Sequence, residues 1–127
     1  MKKIIVLCFL ILLAMPAVAT EWMQIGPKVW LDLSTRDQHG NIVSAWVKSL
    51  NDGSFKLLEN QKVYYHITRY NANCSNRTLS ISSSVAYNYK KDVMARYDVS
   101  DKSFLWNWDA VVPDTFGEHI YTALCSF

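Results

Sequence analysis

Between Arg77 and Tyr87 the chain alternates, with Leu79, Ile81, Ser83 and Val85 set against Thr78, Ser80, Ser82 and Ser84. A period of two puts successive side chains on opposite faces of an extended strand. This spacing predicts a half-buried antiparallel strand with one wet, hydroxyl-rich face. Such a strand needs neighbours on both sides and a cover for its apolar face, which commits the surrounding sequence to a sheet.

The neighbours are legible on either side. Val29, Leu31 and Leu33 share one side of a strand over Val29–Ser34, and Ile42–Lys48 reads as the next. Asp37–Asn41, containing Gly40, reads as the turn of a hairpin joining them, and Asn51–Ser54 as the turn that follows. Lys62–Tyr70 is rich in β-branched and aromatic residues and is expected as a strand broken by Asn71-Ala72-Asn73. Val93–Asp98 alternates again, after a turn at Asn88–Asp92.

The period then changes. Phe116, Ile120, Ala123, Leu124 and Phe127 recur near helical spacing. Thr115 and Glu118 fit a capping box, with Asp114 as the competing N-cap. The expected fold is therefore α+β: an antiparallel β-sheet of about five to six strands with a C-terminal helix packed on one face.

The N-terminus sets the compartment. Met1-Lys2-Lys3 is followed by an apolar stretch from Ile4 to Met15, then by Pro16 and Ala17-Val18-Ala19. A charged start, an apolar run and an A-x-A site read as a secretory leader, 1–19, cleaved between Ala19 and Thr20. The apolar stretch is shorter than the roughly 20 residues a spanning helix requires. The remaining 20–127 is expected to be a single domain. Loss of Lys2 and Lys3 takes Lys plus Arg from 13 to 11, equal to the 11 Asp plus Glu. A neutral chain whose only adjacent basic pair is Lys90-Lys91 lacks the electrostatics of a nucleic-acid binder.

Cys8 departs with the leader, leaving Cys74 and Cys125. In an oxidising compartment these two allow one intramolecular disulfide, which would pin the helix to the loop before Arg77. A zinc or redox pair is the rival, but neither cysteine has a C-x-x-C partner.

Catalytic patterns are absent from the sequence. Ser82-Ser83-Ser84 lies in an alternating run without a G-x-S-x-G elbow, and nothing marks out Asp98, Asp101 or Asp109 as an acid–base pair. His39, His66 and His119 are dispersed, and no metal or cofactor set follows from them. The chain is expected not to be an enzyme. Its distinctive residues are aromatic: Trp22, Trp30, Trp46, Trp106 and Trp108, with seven tyrosines. Trp30 is out of phase with Leu31 and Leu33 and so is expected on the wetter face, while Tyr64 and Tyr65 point to opposite faces. Trp30, Trp46, Tyr64 and Tyr65 are the candidate binding aromatics, because Trp and Tyr bury large area at low entropic cost.

One further pattern spans the chain. Trp108-Asp109-Ala110-Val111-Val112-Pro113-Asp114-Thr115-Phe116-Gly117-Glu118, continuing through Tyr121 to Leu124-Cys125, resembles the closing segment of the surface-adhesin protein E family. Trp30-Leu31-Asp32-Leu33-Ser34-Thr35, Asn41–Trp46 and Cys74 followed by Arg77-Thr78 resemble its opening strands and central segment. The resemblance implies an antiparallel sheet with a packed helix and a Cys74–Cys125 disulfide. It also implies an exported adhesin, periplasmic or at the cell surface, that binds host matrix or serum proteins such as vitronectin and laminin. A homodimer is part of the same implication. Two alternatives accompany it: a haem binder, with His66 and His119 as the candidate ligands, and a periplasmic accessory protein that binds an envelope partner. No lipid-attachment cysteine follows the leader, so no stable membrane anchor is expected.

Overall fold

The computed structural model describes residues 21–50 and 62–126. The expected leader cleavage, the Asn51–Ser54 turn and Phe127 lie outside the described residues. The chain forms a meander in which each strand pairs antiparallel with the next: β1 (Trp22–Gly26), β2 (Val29–His39), β3 (Ile42–Leu50), β4 (Tyr65–Asn73), β5 (Thr78–Tyr87) and β6 (Val93–Asp98). A short β7 (Asp109–Ala110) joins the same edge of β5 that β6 occupies, opposite Thr78 and Leu79. An α-helix, α1 (Phe116–Cys125), closes the described chain. The antiparallel sheet, the C-terminal helix and the disulfide are as the sequence predicts.

Three departures from the sequence reading have physical causes. β2 runs on to His39, so the hairpin turn is confined to Gly40 and Asn41; Gly40 adopts the left-handed φ of +60° that the reversal needs. Asn71-Ala72-Asn73 does not break β4 but forms its last turn-ward residues. Asn71 is only 1% exposed and is held there by its neighbours across the sheet. Ser44 Oγ donates to its Oδ1 at 2.6 Å, and its Nδ2 donates to Ser80 Oγ at 3.3 Å. A buried amide satisfied on both sides is compatible with a central strand despite its low β propensity.

The third departure concerns the alternating run itself. Pairing moves from Arg69↔Ser83 to Tyr70↔Ile81, so Ser82 has no partner and the strand bulges. The bulge resets the phase. Leu79 and Ile81 lie on the helix-bearing face, but Ser84 and Ala86 follow them there in place of Ser83 and Val85. Of the hydroxyls expected on a wet face, Ser80 and Ser82 are instead buried, and Ser84 turns to the helix-bearing face.

β2 also carries an irregularity. Its residues between Asp32 and Asp37 advance against only the step from Trp46 to Ser44 on β3. The excess is stitched by Asp32, whose Oδ1 accepts from the Ser34 N–H and hydroxyl at 3.0 and 2.6 Å. Arg36, within this excursion, donates to the Leu124 carbonyl at 3.5 Å, placing a cation at the helix C-terminus where the helix dipole favours one.

The core lies between α1 and one face of the sheet. Ile120, Tyr121 and Leu124 pack with Val29, Leu31, Val43, Val47, Ala72 and Leu79. Tyr121 joins Ile120 and Leu124 in that face, whereas Phe116 stays 41% exposed. The expected capping box does not form, although Thr115 is the N-cap. Thr115 Oγ1 donates to the Val112 carbonyl instead of accepting a helix N–H, and Glu118 Oε1 accepts the Asp114 N–H at 3.4 Å.

The β4–β5 turn holds α1 at several points. Cys74 and Cys125 form the disulfide, with Cα atoms 5.7 Å apart. Tyr121 Oη donates to the Cys74 carbonyl at 3.2 Å. Arg77 pairs with Glu118 at 2.7 Å and its guanidinium lies 5.3 Å from the Tyr121 ring centroid.

Two outcomes follow. Cross-linking residues 51 positions apart restricts the unfolded chain, so a Cys74→Ser, Cys125→Ser double variant is expected to lose up to about 4 kcal/mol, read by urea unfolding against the oxidised protein. Asn71→Ala leaves the Ser44 hydroxyl without its acceptor in a buried site and is expected to cost about 1–3 kcal/mol in the same assay.

Candidate binding site

The sheet has two usable faces, and strand register assigns each candidate residue to one of them. On the face away from α1, Trp22, Asp32, Trp46, Arg69 and Ser83 form one transverse row through successive pairings. The adjacent row runs Gln24, Trp30, Lys48, Ile67, Val85 and Arg96, and a third runs Leu50, Tyr65 and Tyr87. Trp30 therefore stands out of phase with Leu31 and Leu33, on the face opposite the core.

Trp30, Trp46 and Tyr65 share this outer face and all three are partly exposed. Tyr64 precedes β4 and is 51% exposed, with its ring edge-on to Tyr65 at 6.0 Å between centroids. Tyr65 stacks on Tyr87 at 4.7 Å, and Lys48 Nζ lies 5.0 Å from the Tyr65 centroid. Burial and the neighbouring Tyr87 together hold the Tyr65 hydroxyl above its ordinary pKa. Trp22, Trp30, Lys48 and Leu50 line a shallow depression of about 160 Å³. The outer face is thus aromatic and carries three cations, Lys48, Arg69 and Arg96. Its acidic members are Asp32, buried and bonded to Ser34, Asp37, half-exposed at the far end of β2 and paired with His39, and Asp98, whose carboxyl the Ser100 hydroxyl and N–H hold below the usual range.

The inner face is covered only in part. A helix of this length is about 15 Å long, whereas strands of nine to eleven residues reach about 30 Å. Beside the first turn of α1 the sheet floor is open, forming a groove of two lobes that share Tyr70, Ile81 and Ser84. One lobe, about 550 Å³, extends to Tyr97, Asp109 and Val112; the other, about 400 Å³, extends to Lys28, Leu50 and His66. Phe116 stands over the second lobe with its ring 6.5 Å from that of Tyr70.

The floor is neutral. Thr68 and Ser84 share a hydroxyl hydrogen bond at 2.9 Å. Burial pushes the Tyr70 hydroxyl up to about 12 and lowers the His66 imidazole below 6.5. His119 does not line this groove. It sits on the exposed side of α1, over Gly26, and lines a separate depression with Met23 and Ile25. His39 is exposed at the far end of β2, bonded to Asp37 at 2.9 Å.

The groove residues Tyr70, Ile81, Ser84, Tyr97 and Phe116 were not singled out from sequence as a site. The bulge that puts Ile81 and Ser84 on one face has no local signature, because Ser82-Ser83-Ser84 reads equally well in either phase.

The direction of the His66 shift fixes a pH dependence. A folded-state pKa below the unfolded value means the native state favours neutral imidazole. Stability from this group is complete above about 6.5 and declines as pH falls from there through the depressed value. Relative to His66→Gln, the wild-type chain is expected to lose stability over that window in urea unfolding, and NMR titration of His66 should give a midpoint below 6.5.

With this geometry in hand, comparison with known proteins is informative. No curated protein matched the chain in sequence. Among solved structures, crystal form II of Haemophilus influenzae protein E matches with a TM-score of 0.59 at 14% identity, over 86% of this chain and 90% of that one. Protein E from non-typeable Haemophilus influenzae matches with a TM-score of 0.54 at 14% identity, over 87% and 79%. At this identity the likeness is one of fold. The family model for surface-adhesin protein E matches residues 22–126. The chain belongs to the surface-adhesin protein E family.

Proposed function

We propose that this chain is an exported, non-catalytic adhesin that binds a host matrix or serum protein, of which vitronectin and laminin are the first to test, through the outer face of its sheet. Family membership supports adhesion as the general role. The observation that carries the choice of surface is the alignment of Trp30 and Trp46 with Lys48, Arg69 and Arg96 on a face that no described element covers. Large aromatic rings supply buried area in a protein interface, and the surrounding cations favour an acidic partner surface and speed encounter with it.

The test is equilibrium binding of the disulfide-bonded, exported protein to immobilised vitronectin and laminin at two salt concentrations. Saturable binding, weakened at least tenfold by Trp30→Ala and reduced by added salt, is the expected result. Binding that survives Trp30→Ala and Trp46→Ala together would move the interface elsewhere. No binding at micromolar protein would remove these two ligands.

A further inference from the structure

We propose that the free edge of β6 pairs antiparallel with the same edge of a second copy of this chain, about a two-fold axis at Tyr97, so that the two sheets join into one. The joint is made by a sheet edge and by neither face, so it does not depend on the adhesive reading.

β6 is an open edge. It pairs with β5 along one side, and Arg96, Tyr97 and Asp98 are all exposed. In an antiparallel ladder, successive residues turn their N–H and C=O groups to opposite sides of the strand. The Val99 N–H donates to the Ser82 carbonyl at 2.8 Å, so Val99, Tyr97 and Ala95 turn theirs toward β5. Arg96 and Asp98 therefore turn theirs outward. The loop that follows folds back on the β5 side. Its Lys102 N–H and Trp106 Nε1–H donate to the Val99 carbonyl at 3.0 and 2.8 Å, and the chain rejoins β5 as β7.

Charges and bulges commonly protect such edges from pairing. In β6 the pairing moves from Ala86↔Ala95 to Tyr87↔Val93, a bulge that confines the regular edge to Ala95–Asp98. Within that short edge the charges select a partner. Arg96 and Asp98 stand on the outer face, opposite Val85 and Ser83, and neither forms a salt bridge among the described residues. Directly opposed residues share a face, so the registers open to a second β6 differ in which residue lies on the axis. With Arg96 or Asp98 on the axis, like charges meet, which is unfavourable. With Tyr97 there, Arg96 of each copy faces Asp98 of the other.

That register also fits the main chain. Arg96 and Asp98 fall in hydrogen-bonded pairs, as their outward groups require. Tyr97, 50% exposed, falls in the non-hydrogen-bonded pair, with Cα atoms about 4.5 Å apart and its ring beside its counterpart. A strand that complements this edge must read basic, any residue, acidic, and Arg96-Tyr97-Asp98 of a second copy is that sequence. The axis stands perpendicular to the sheet, so the outer faces of both copies look the same way.

The experiment is sedimentation equilibrium of the disulfide-bonded, exported protein without any ligand. One strand edge falls below the roughly 1,200 Å² of a stable complex, so the expected dimer is weak, with Kd on the order of 0.1 mM. Arg96→Asp and Asp98→Arg, made separately, each set like charges opposite one another and should weaken self-association at least about tenfold. An equal mixture of these two variants restores both opposite-charge pairs and should form heterodimers. The double variant, R96D with D98R, should self-associate again. Both positions are exposed, so circular dichroism should show the native fold throughout. A monomer at about 1 mM, ten times the expected Kd, would overturn the proposal. So would self-association indifferent to the single reversals, or a mixture that stays monomeric.

Discussion

The arrangement depends on the attachment of α1 to the β4–β5 turn. Within that turn Cys74 supplies both a disulfide to Cys125 and a carbonyl to the Tyr121 hydroxyl, while Arg77 engages Glu118 and the Tyr121 ring. These contacts grip both the first and the last turns of the helix. A ten-residue helix is too short to be stable alone in water, so its formation and its docking are the same event. Because the grip comes from one end of the sheet, the helix is held over that end. The core forms where Ala72, Leu79 and Val43 meet Ile120 and Leu124, and beyond it on the same face the described residues leave the groove.

That constraint divides the molecule's surfaces by chemistry. The covered end of the inner face is aliphatic, as a packed core requires. The uncovered end carries half-buried Ser84 and His66 beside buried Thr68 and Ser49, with Thr68 and Ser84 satisfying each other by a hydrogen bond. The outer face, on which no helix packs among the described residues, combines half-buried tryptophans with cations. Ser44, Asn71 and Ser80 form a buried polar line within it, and their mutual hydrogen bonds let three polar residues occupy the middle of a sheet without water.

Much of this was legible in the sequence because it rests on local patterns. Val29–Leu33 and Ile42–Lys48 announce strands by alternation, Asn88–Asp92 is a turn whose Asn88 side chain accepts from the Lys90 and Asp92 N–H groups, and the helical period after Phe116 is clear. The pairing of Cys74 with Cys125 followed from the expectation of export, which leaves these two cysteines to each other. What was not legible rests on partners distant in sequence. Asn71 reads as a breaker until Ser44 and Ser80 are placed beside it. The hydroxyl-rich side of β5 reads as wet until Ser82 is bulged out and the phase reverses. β1 lacks the alternation that marks the other strands and exists because β2 offers it an edge. The outer face was half legible: Trp30 was placed by its phase, but the alignment of Lys48, Arg69 and Arg96 beside it is a property of register.

The bulge in β5 sets which residues floor the open groove. Without it, strict alternation would continue Leu79 and Ile81 with Ser83 and Val85 on the helix-bearing face, putting Val85 where Ala86 now follows Ser84. That floor would present a wider aliphatic surface beyond the reach of a helix tethered at the other end. Exposed aliphatic sheet invites non-specific association. The extra residue instead puts Ser84, in place of Ser83, opposite Thr68, where the two hydroxyls pair, and Ala86, in place of Val85, opposite His66. One inserted residue thus trades a valine for an alanine on the floor beyond the short helix while a serine hydroxyl stays opposite Thr68.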